Sequence, residues 1–167
     1  AIPAGTAVTL TVGRGGATQQ VELVTSKSDA GGSMLGVTLT FATPLTIKYG
    51  VEGIGGSSAG MMFTLGIIDK VGPTDLAAGK VIAGTGTISA DGTVGAIGGI
   101  RQKMIAAKRD GAAYFLAPVS NCSDVVGNVP KGLQVIEVST LDDALNALAK
   151  LRAGQAAKLP TCTATSH

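Results

Sequence analysis

The chain has 167 residues, of which 45% are apolar and 14% charged, with a formal net charge of +2. That balance describes a folded, well-buried protein large enough for one core-bearing domain and a fragment of a second, and it excludes a disordered chain. The nine lysines and four arginines are scattered and aromatics reach only 3%, so no basic stripe with stacking side chains points to nucleic acid.

Residues 7–13 (AVTLTVG) and 20–25 (QVELVT) alternate apolar and polar positions on either side of RGGATQ, which predicts a β-hairpin with a Gly-rich turn. KSDAGGS at 27–33 reads as a loop. MLGVTLTF (34–41) and LTIKYG (45–50) read as two further strands separated by Pro44. The main domain is expected to begin near residue 34. This gives a hairpin segment over 1–33, a principal domain over 34–152 and a tail over 153–167.

From Ser58 to Asp69 the pattern changes to a buried helix capped by serine. Its apolar run, 59–68, is the longest in the chain and falls well short of the roughly 18 residues that cross a bilayer. PTDLAAGK (73–80) predicts a helical turn, KVIAGTGTIS (80–89) a strand and ADGTVGAIGG (90–99) a Gly-rich hairpin. IRQKMIAAKRDGA predicts an amphipathic helix stopped by Gly111. AYFLAP is a buried strand, NCSDVVGNV a short capped turn, and LQVIEVS a strand. TLDDALNALAKLRAG is a final helix with Thr140 as its cap. Strands come first and helices then alternate with strands, so the class expected is a single α+β domain without internal repeats.

Chemistry is narrowed by elimination. The sole histidine, His167, is the last residue, which removes Ser-His-Asp and Cys-His arrangements. The sequence contains no G-x-S-x-G elbow, no G-x-x-x-x-G-K-[ST] phosphate loop and no S-x-x-K motif at Ser57 or Ser58. The eleven acidic residues lack metal-ligand spacing, and two cysteines alone make no tetrahedral zinc site. No metal or cofactor is expected. Cys122 and Cys162 are either two unrelated buried thiols or one disulfide. The disulfide is favoured because a Pro- and Thr-rich tail has little else to order it, and it would imply an oxidising compartment.

What remains is GIGGSSAGMMFTLGIIDK, residues 53–70. A hydroxyl at the start of a helix sits in the positive end of the dipole beside unpaired N–H groups, and Gly53, Gly55 and Gly56 would let a substrate carbonyl approach them. Such a serine needs a base. A lysine serves when burial disfavours its ammonium form. Lys103 follows Ile100 by three residues and precedes Ala107 by four, which places it along the apolar arc of its helix. Each residue has a plainer reading: Ser58 as an N-cap, and Lys103 as a stem lying on apolar surface with its amine in water.

These two segments resemble the Lon proteolytic domain over roughly residues 36–151. GGSSAGMMFTLGI is similar to that family's G-P-S-A-G segment and its apolar helix. GTGTISADGTVGAIGGIRQKMIAAKRDGAAYFLAPVSN is similar to its lysine segment, with T-G-x-I, a glycine hairpin and G-G-x-x-x-K. The resemblance implies a ribosomal-protein-S5-domain-2-like fold and a Ser-Lys dyad peptidase acting on protein or peptide substrates. Ser58 is then the nucleophile, Lys103 the base and Thr85 a residue that helps orient the lysine. Gly55, Gly56, Ser57 and Ala59 would supply backbone for the oxyanion and the substrate.

The branch most similar is the bacterial cell-surface one that joins a PDZ module to a Lon-type domain (YlbL-like) and lacks the ATPase ring. That branch implies ATP-independent action in this chain and an extracytoplasmic location. It also implies anchoring by a segment absent here, in keeping with a chain that opens AIPAGTAVTLTV without Met. The opening hairpin would suit the closing strands of a PDZ domain. A homo-oligomeric ring is common in the family, though nothing in the composition shows one. Ser57 stands where the pattern has proline, and Gly55 where many members carry aspartate. The rival expectation is a proteolytically silent Lon fold used as a binding or scaffold module.

Overall fold

The computed structural model describes residues 2–28, 31–37, 46–47, 50, 56–164 and 166. The chain forms two compact units, Ala1–Gly50 and Val51–His167.

In the first unit, strands β1 (Ala7–Arg14) and β2 (Ala17–Val24) pair antiparallel, with Leu10 opposite Val21 and Val8 opposite Leu23. The six-residue turn expected from RGGATQ contracts to two, Gly15 and Gly16. Both have positive φ (59° and 82°), the conformation that matches hairpin twist. Thr25 is buried; its hydroxyl donates to the Pro3 carbonyl (2.7 Å) and accepts from the Thr6 N–H (3.0 Å). Short strands β3 (Ser26–Lys27) and β4 (Ser33–Met34) pair antiparallel. That pairing ties residues 33–34 into the first unit, so the two units part between Gly50 and Val51, beyond the boundary expected near residue 34. Residues 38–41 of the expected third strand, and residues 45, 48 and 49 of the expected strand at 45–50, lie outside the described residues.

The second unit is mixed α/β. It runs α1 (Gly60–Val71), β5 (Ile82–Gly84), β6 (Thr87–Ile88), β7 (Val94–Gly95), α2 (Ile100–Arg109), β8 (Tyr114–Pro118), α3 (Cys122–Val125), β9 (Gln134–Val138) and α4 (Leu141–Arg152). Strands β5, β8 and β9 form one parallel sheet in that order, with Ala83 beside Phe115 and Phe115 beside Val135. A helix lies between each pair of neighbours, as parallel strands require. The segment 73–80 is a side-chain-stabilised turn rather than a helical one. Asp75 Oδ1 accepts from the N–H groups of Ala77 (3.0 Å) and Ala78 (2.9 Å) as a helix cap would, but Ala78 and Gly79 then take positive φ (48° and 70°) and no helix follows. The strand expected over 80–89 breaks into β5 and β6 at Thr85–Gly86.

Strand β8 (YFLAP) is apolar throughout because both its faces are covered. Leu116 joins Met61 and Leu65 of α1 with Ala144, Leu148 and Leu151 of α4. Phe115 and Ala117 join Ile100 and Met104 of α2 with Val135. Helix α4 buries Ala144, Ala147, Leu148 and Leu151, a helical stripe, and begins with a capping box between Thr140 and Asp143. Residues beyond α4 fold back on this unit: Leu159 is buried, the Glu137 N–H donates to the Pro160 carbonyl (3.2 Å), and Cys162 is joined to Cys122 in a disulfide. The stretch 153–167, expected as a tail, is pinned to this unit at Leu159 and Cys162, while most of its described residues are exposed.

Helices α1 and α2 each run back along the strand that follows them. Met61 at the start of α1 donates to the Gly86 carbonyl just past β5 (3.1 Å), and Ile97, ahead of α2, is bonded to Asn121 just past β8. Both helices therefore begin at the carboxyl end of the parallel sheet, the end at which open α/β sheets bind their ligands. No described helix is long and apolar enough to cross a membrane.

Candidate active site

The serine segment begins at Gly56, whose φ of 95° and ψ of 155° lie in a region that only glycine occupies without strain. Ser57, Ser58 and Ala59 then form one turn of 3-10 helix that feeds α1. The cap expected at this helix is not there. Ala59 occupies the N-cap position, and neither it nor Gly56 is joined by any side-chain cap bond. Ser58 is half-buried inside the 3-10 turn, so its hydroxyl is not spent on capping. Gly53 and Gly55, expected to face the substrate, lie outside the described residues, as does His167.

The main chain of Ser58 is held firmly. Its carbonyl accepts two hydrogen bonds, from the Gly86 N–H (2.9 Å) and from the Thr85 hydroxyl (2.9 Å). The break between β5 and β6 exists to make these bonds: Thr85 still donates its N–H to the Leu116 carbonyl (3.1 Å), and the chain then turns at Gly86 toward the serine. Glycine keeps both segments tightly packed, Gly60 against β6 and Gly86 against β7. A Cβ at Gly60 would lie 3.0 Å from Ile88 Cγ2, and one at Gly86 2.7 Å from Val94 Cγ1. Thr85 is only 2% exposed. Its single hydroxyl proton goes to Ser58, which leaves oxygen lone pairs as acceptors. The structure thus brings Thr85 and Ser58 together. The sequence signal for this contact was the T-G pair inside an otherwise regular strand pattern.

Lys103 stands on α2 where the arc was drawn. Ile100 and Met104 are buried, Ala107 and Lys103 half-buried, while Arg101, Gln102 and Arg109 are exposed. The other cations of this helix are occupied: Arg101 pairs with Asp124 (3.1 Å), Arg109 with Asp110 (2.8 Å), and Lys108 donates to the Gly132 carbonyl (2.9 Å). Lys103 pairs with no carboxylate among the described residues. Asp110, beside the Arg109 guanidinium that donates to it, has its carboxyl held below the ordinary range.

The one group of metal-type ligands among the described residues is Cys122, Glu137 and Cys162. Its two sulfurs are joined to one another and so offer no thiolate.

Set beside known sequences, residues 44–150 match the family of Lon protease (S16) C-terminal proteolytic domains. The chain belongs to that family. Among its relatives, the Lon protease of Azospirillum brasilense is 40% identical over 93 residues, covering 54% of this chain and 11% of the relative. The Lon protease of Neorickettsia sennetsu is 34% identical over 105 residues, covering 60% of this chain and 12% of the relative. That of Endomicrobium trichonymphae is 41% identical over 70 residues, covering 40% and 9%. This chain therefore spans about a tenth of the length of the curated Lon proteases it matches. The matched span of the Lon family model takes in Ser58, Thr85 and Lys103.

Proposed function

We propose that this Lon-type domain is a serine endopeptidase that cleaves protein or peptide substrates with a Ser58–Lys103 dyad. The observation that carries the reading is the state of Ser58. Its carbonyl is locked by Thr85 and Gly86 at the carboxyl end of β5, while its hydroxyl, set inside the 3-10 turn and not at an N-cap position, makes no capping bond.

Catalysis would run in two halves. Lys103 Nζ, as the free amine, takes the Ser58 hydroxyl proton while Oγ forms a bond to the scissile carbonyl carbon. Backbone N–H groups around Ser58 hold the oxyanion. The C–N bond then breaks, Lys103 returns the proton to the leaving amine, and an acyl ester on Ser58 remains. Water attacks that ester with the same lysine as base, which releases the acid and restores the hydroxyl. Thr85, with oxygen lone pairs to spare, orients the lysine amine.

The finer assignments belong to the same proposal. They are an S5-like fold for the second unit, a PDZ remnant in the opening hairpin, membership of the cell-surface branch, and action without ATP in this chain. A disulfide between Cys122 and Cys162 favours an oxidising, extracytoplasmic setting. Digestion of an unfolded protein by the parent, Ser58→Ala and Lys103→Ala is the test. Both variants should lose cleavage to background, and Ser58→Ala should keep the parent's Tm. Equal digestion by parent and Ser58→Ala would remove the assignment, and a folded parent that cleaves nothing would leave a scaffold.

A further inference from the structure

Asn121 follows β8 and ends a short 3-10 turn, Val119–Asn121. It is 5% exposed, and both ends of its amide bond one residue: Oδ1 accepts from the Ile97 N–H (2.9 Å) and Nδ2 donates to the Ile97 carbonyl (2.9 Å). Ile97 lies two residues before Gly99, the N-cap of α2. Gly99 adopts left-handed backbone (φ 71°, ψ 33°) and brings no side-chain cap. The Lys103 N–H closes the first turn on the Gly99 carbonyl (3.1 Å).

The start of the lysine helix therefore rests on Gly98 and Gly99, residues with the widest backbone freedom, and has no cap of its own. A single hydrogen bond would leave the Ile97 peptide free to rotate about it; a bond to each side of the residue fixes position and orientation together. Asn121 is itself anchored, since Cys122 beside it is buried and disulfide-bonded, and Val125 one turn on is buried.

We propose that Asn121 is a positioning residue for catalysis: by gripping both backbone groups of Ile97 it sets where α2 begins, and thereby where the Lys103 amine stands. The inference rests on the dyad reading above. Misplacement of a reacting group by about 1 Å can cost on the order of a hundredfold in rate, so loss of the grip should act on kcat and spare substrate binding.

The test compares Asn121→Ala with Leu151→Val, a substitution in the other core cluster chosen for a similar loss of Tm. Cleavage of a fluorescently labelled unfolded protein and hydrogen exchange at the Lys103 backbone amide are the two readouts. In Asn121→Ala, kcat should fall by at least about tenfold with KM within about twofold, and the Lys103 amide should exchange faster. Leu151→Val should do neither. Should Asn121→Ala not fold, Asn121→Asp keeps the size and the acceptor for the Ile97 N–H while losing the donor, and the same comparison applies. Undiminished kcat, or a loss no larger than in Leu151→Val, overturns this inference while parent cleavage leaves the dyad standing. Absence of cleavage by the parent overturns the dyad reading, and this one with it.

Discussion

The two lead-ins at the carboxyl end of the sheet, Gly56–Met61 and Ile97–Lys103, are built to the same plan and held in different ways. Each uses glycine to turn into a helix, and neither helix has a side-chain cap. The serine lead-in is held mainly by main chain: Ser58 O accepts from Gly86 N–H, Met61 N–H donates to Gly86 O, and the Thr85 hydroxyl adds a third bond. The lysine lead-in is held by one side chain, with both bonds coming from Asn121. A site held by backbone resists substitution of any single side chain. A site held by one amide depends on whatever keeps that amide in place.

The contrast can be broken outright or sharpened by degrees. Ser58→Ala and Lys103→Ala come first, since each removes a reacting atom. Next in size is the disulfide, which closes a loop of 40 residues and adjoins Asn121. Loop-closure entropy puts its contribution at about 4 kcal/mol. Replacing both Cys122 and Cys162 by serine should lower unfolding free energy by that order in urea titration. Hydrogen exchange in the variant should quicken around Ile100–Lys103 more than around Met61–Leu65. Equal quickening in the two helices would deny the difference between the lead-ins.

Glycine replacement comes third. Alanine at Gly56 would meet no atom of the described residues within 4 Å, yet its φ of 95° and ψ of 155° are foreign to any side chain. Strain of about 1–3 kcal/mol is expected there. At Gly99 the backbone is ordinary left-handed helix and a Cβ would touch only Gln102 Oε1 at 3.6 Å, so alanine should cost about 1–2 kcal/mol. Asparagine, which visits that conformation readily, should recover most of the loss at Gly99 and none at Gly56. Thermal unfolding of the four variants tests this, and rescue of Gly56 by asparagine would contradict the backbone reading.

Much of the second unit was legible in the sequence because local signals and tertiary demands agree there. Helix α2 ends ahead of Gly111, α4 starts at Thr140, and YFLAP and LQVIEVS become adjacent buried strands. Ile100, Met104 and Lys103 fall on the face that periodicity assigned them. Where the structure departs from local pattern, a long-range bond is the usual cause. The local pattern offers both a cap and a nucleophile at Ser58; the cap does not form, and the N-cap position goes to the residue after Ser58. The Ser58 carbonyl is instead drawn to Thr85 and Gly86, 27 residues away for the hydroxyl bond, which also splits the strand expected over 80–89. Residues 73–80 depart for a local reason instead: positive φ at Ala78 and Gly79 ends the turn that Asp75 begins. The grip of Asn121 on Ile97 spans 24 residues and leaves no periodic trace. In the first unit, the short pairing of Ser33–Met34 with Ser26–Lys27 had no pattern long enough to announce it.

The smallest expected effect concerns Thr85, whose hydroxyl helps hold the serine lead-in. Valine keeps its shape and removes the hydroxyl. Ser58 O would still accept from the Gly86 N–H, so no buried acceptor is orphaned, and the cost should be about 1 kcal/mol, that of one neutral hydrogen bond. Thr85→Ser keeps the hydroxyl and loses a methyl from a buried site. If the oxygen serves only to brace the serine turn, cleavage should follow stability, and the two variants should fall together. If its remaining lone pairs also orient the Lys103 amine, Thr85→Val should lose far more cleavage than Thr85→Ser at equal Tm. In that case the two lead-ins share a residue, and the backbone-held side of the site reaches across to steady the side held by Asn121.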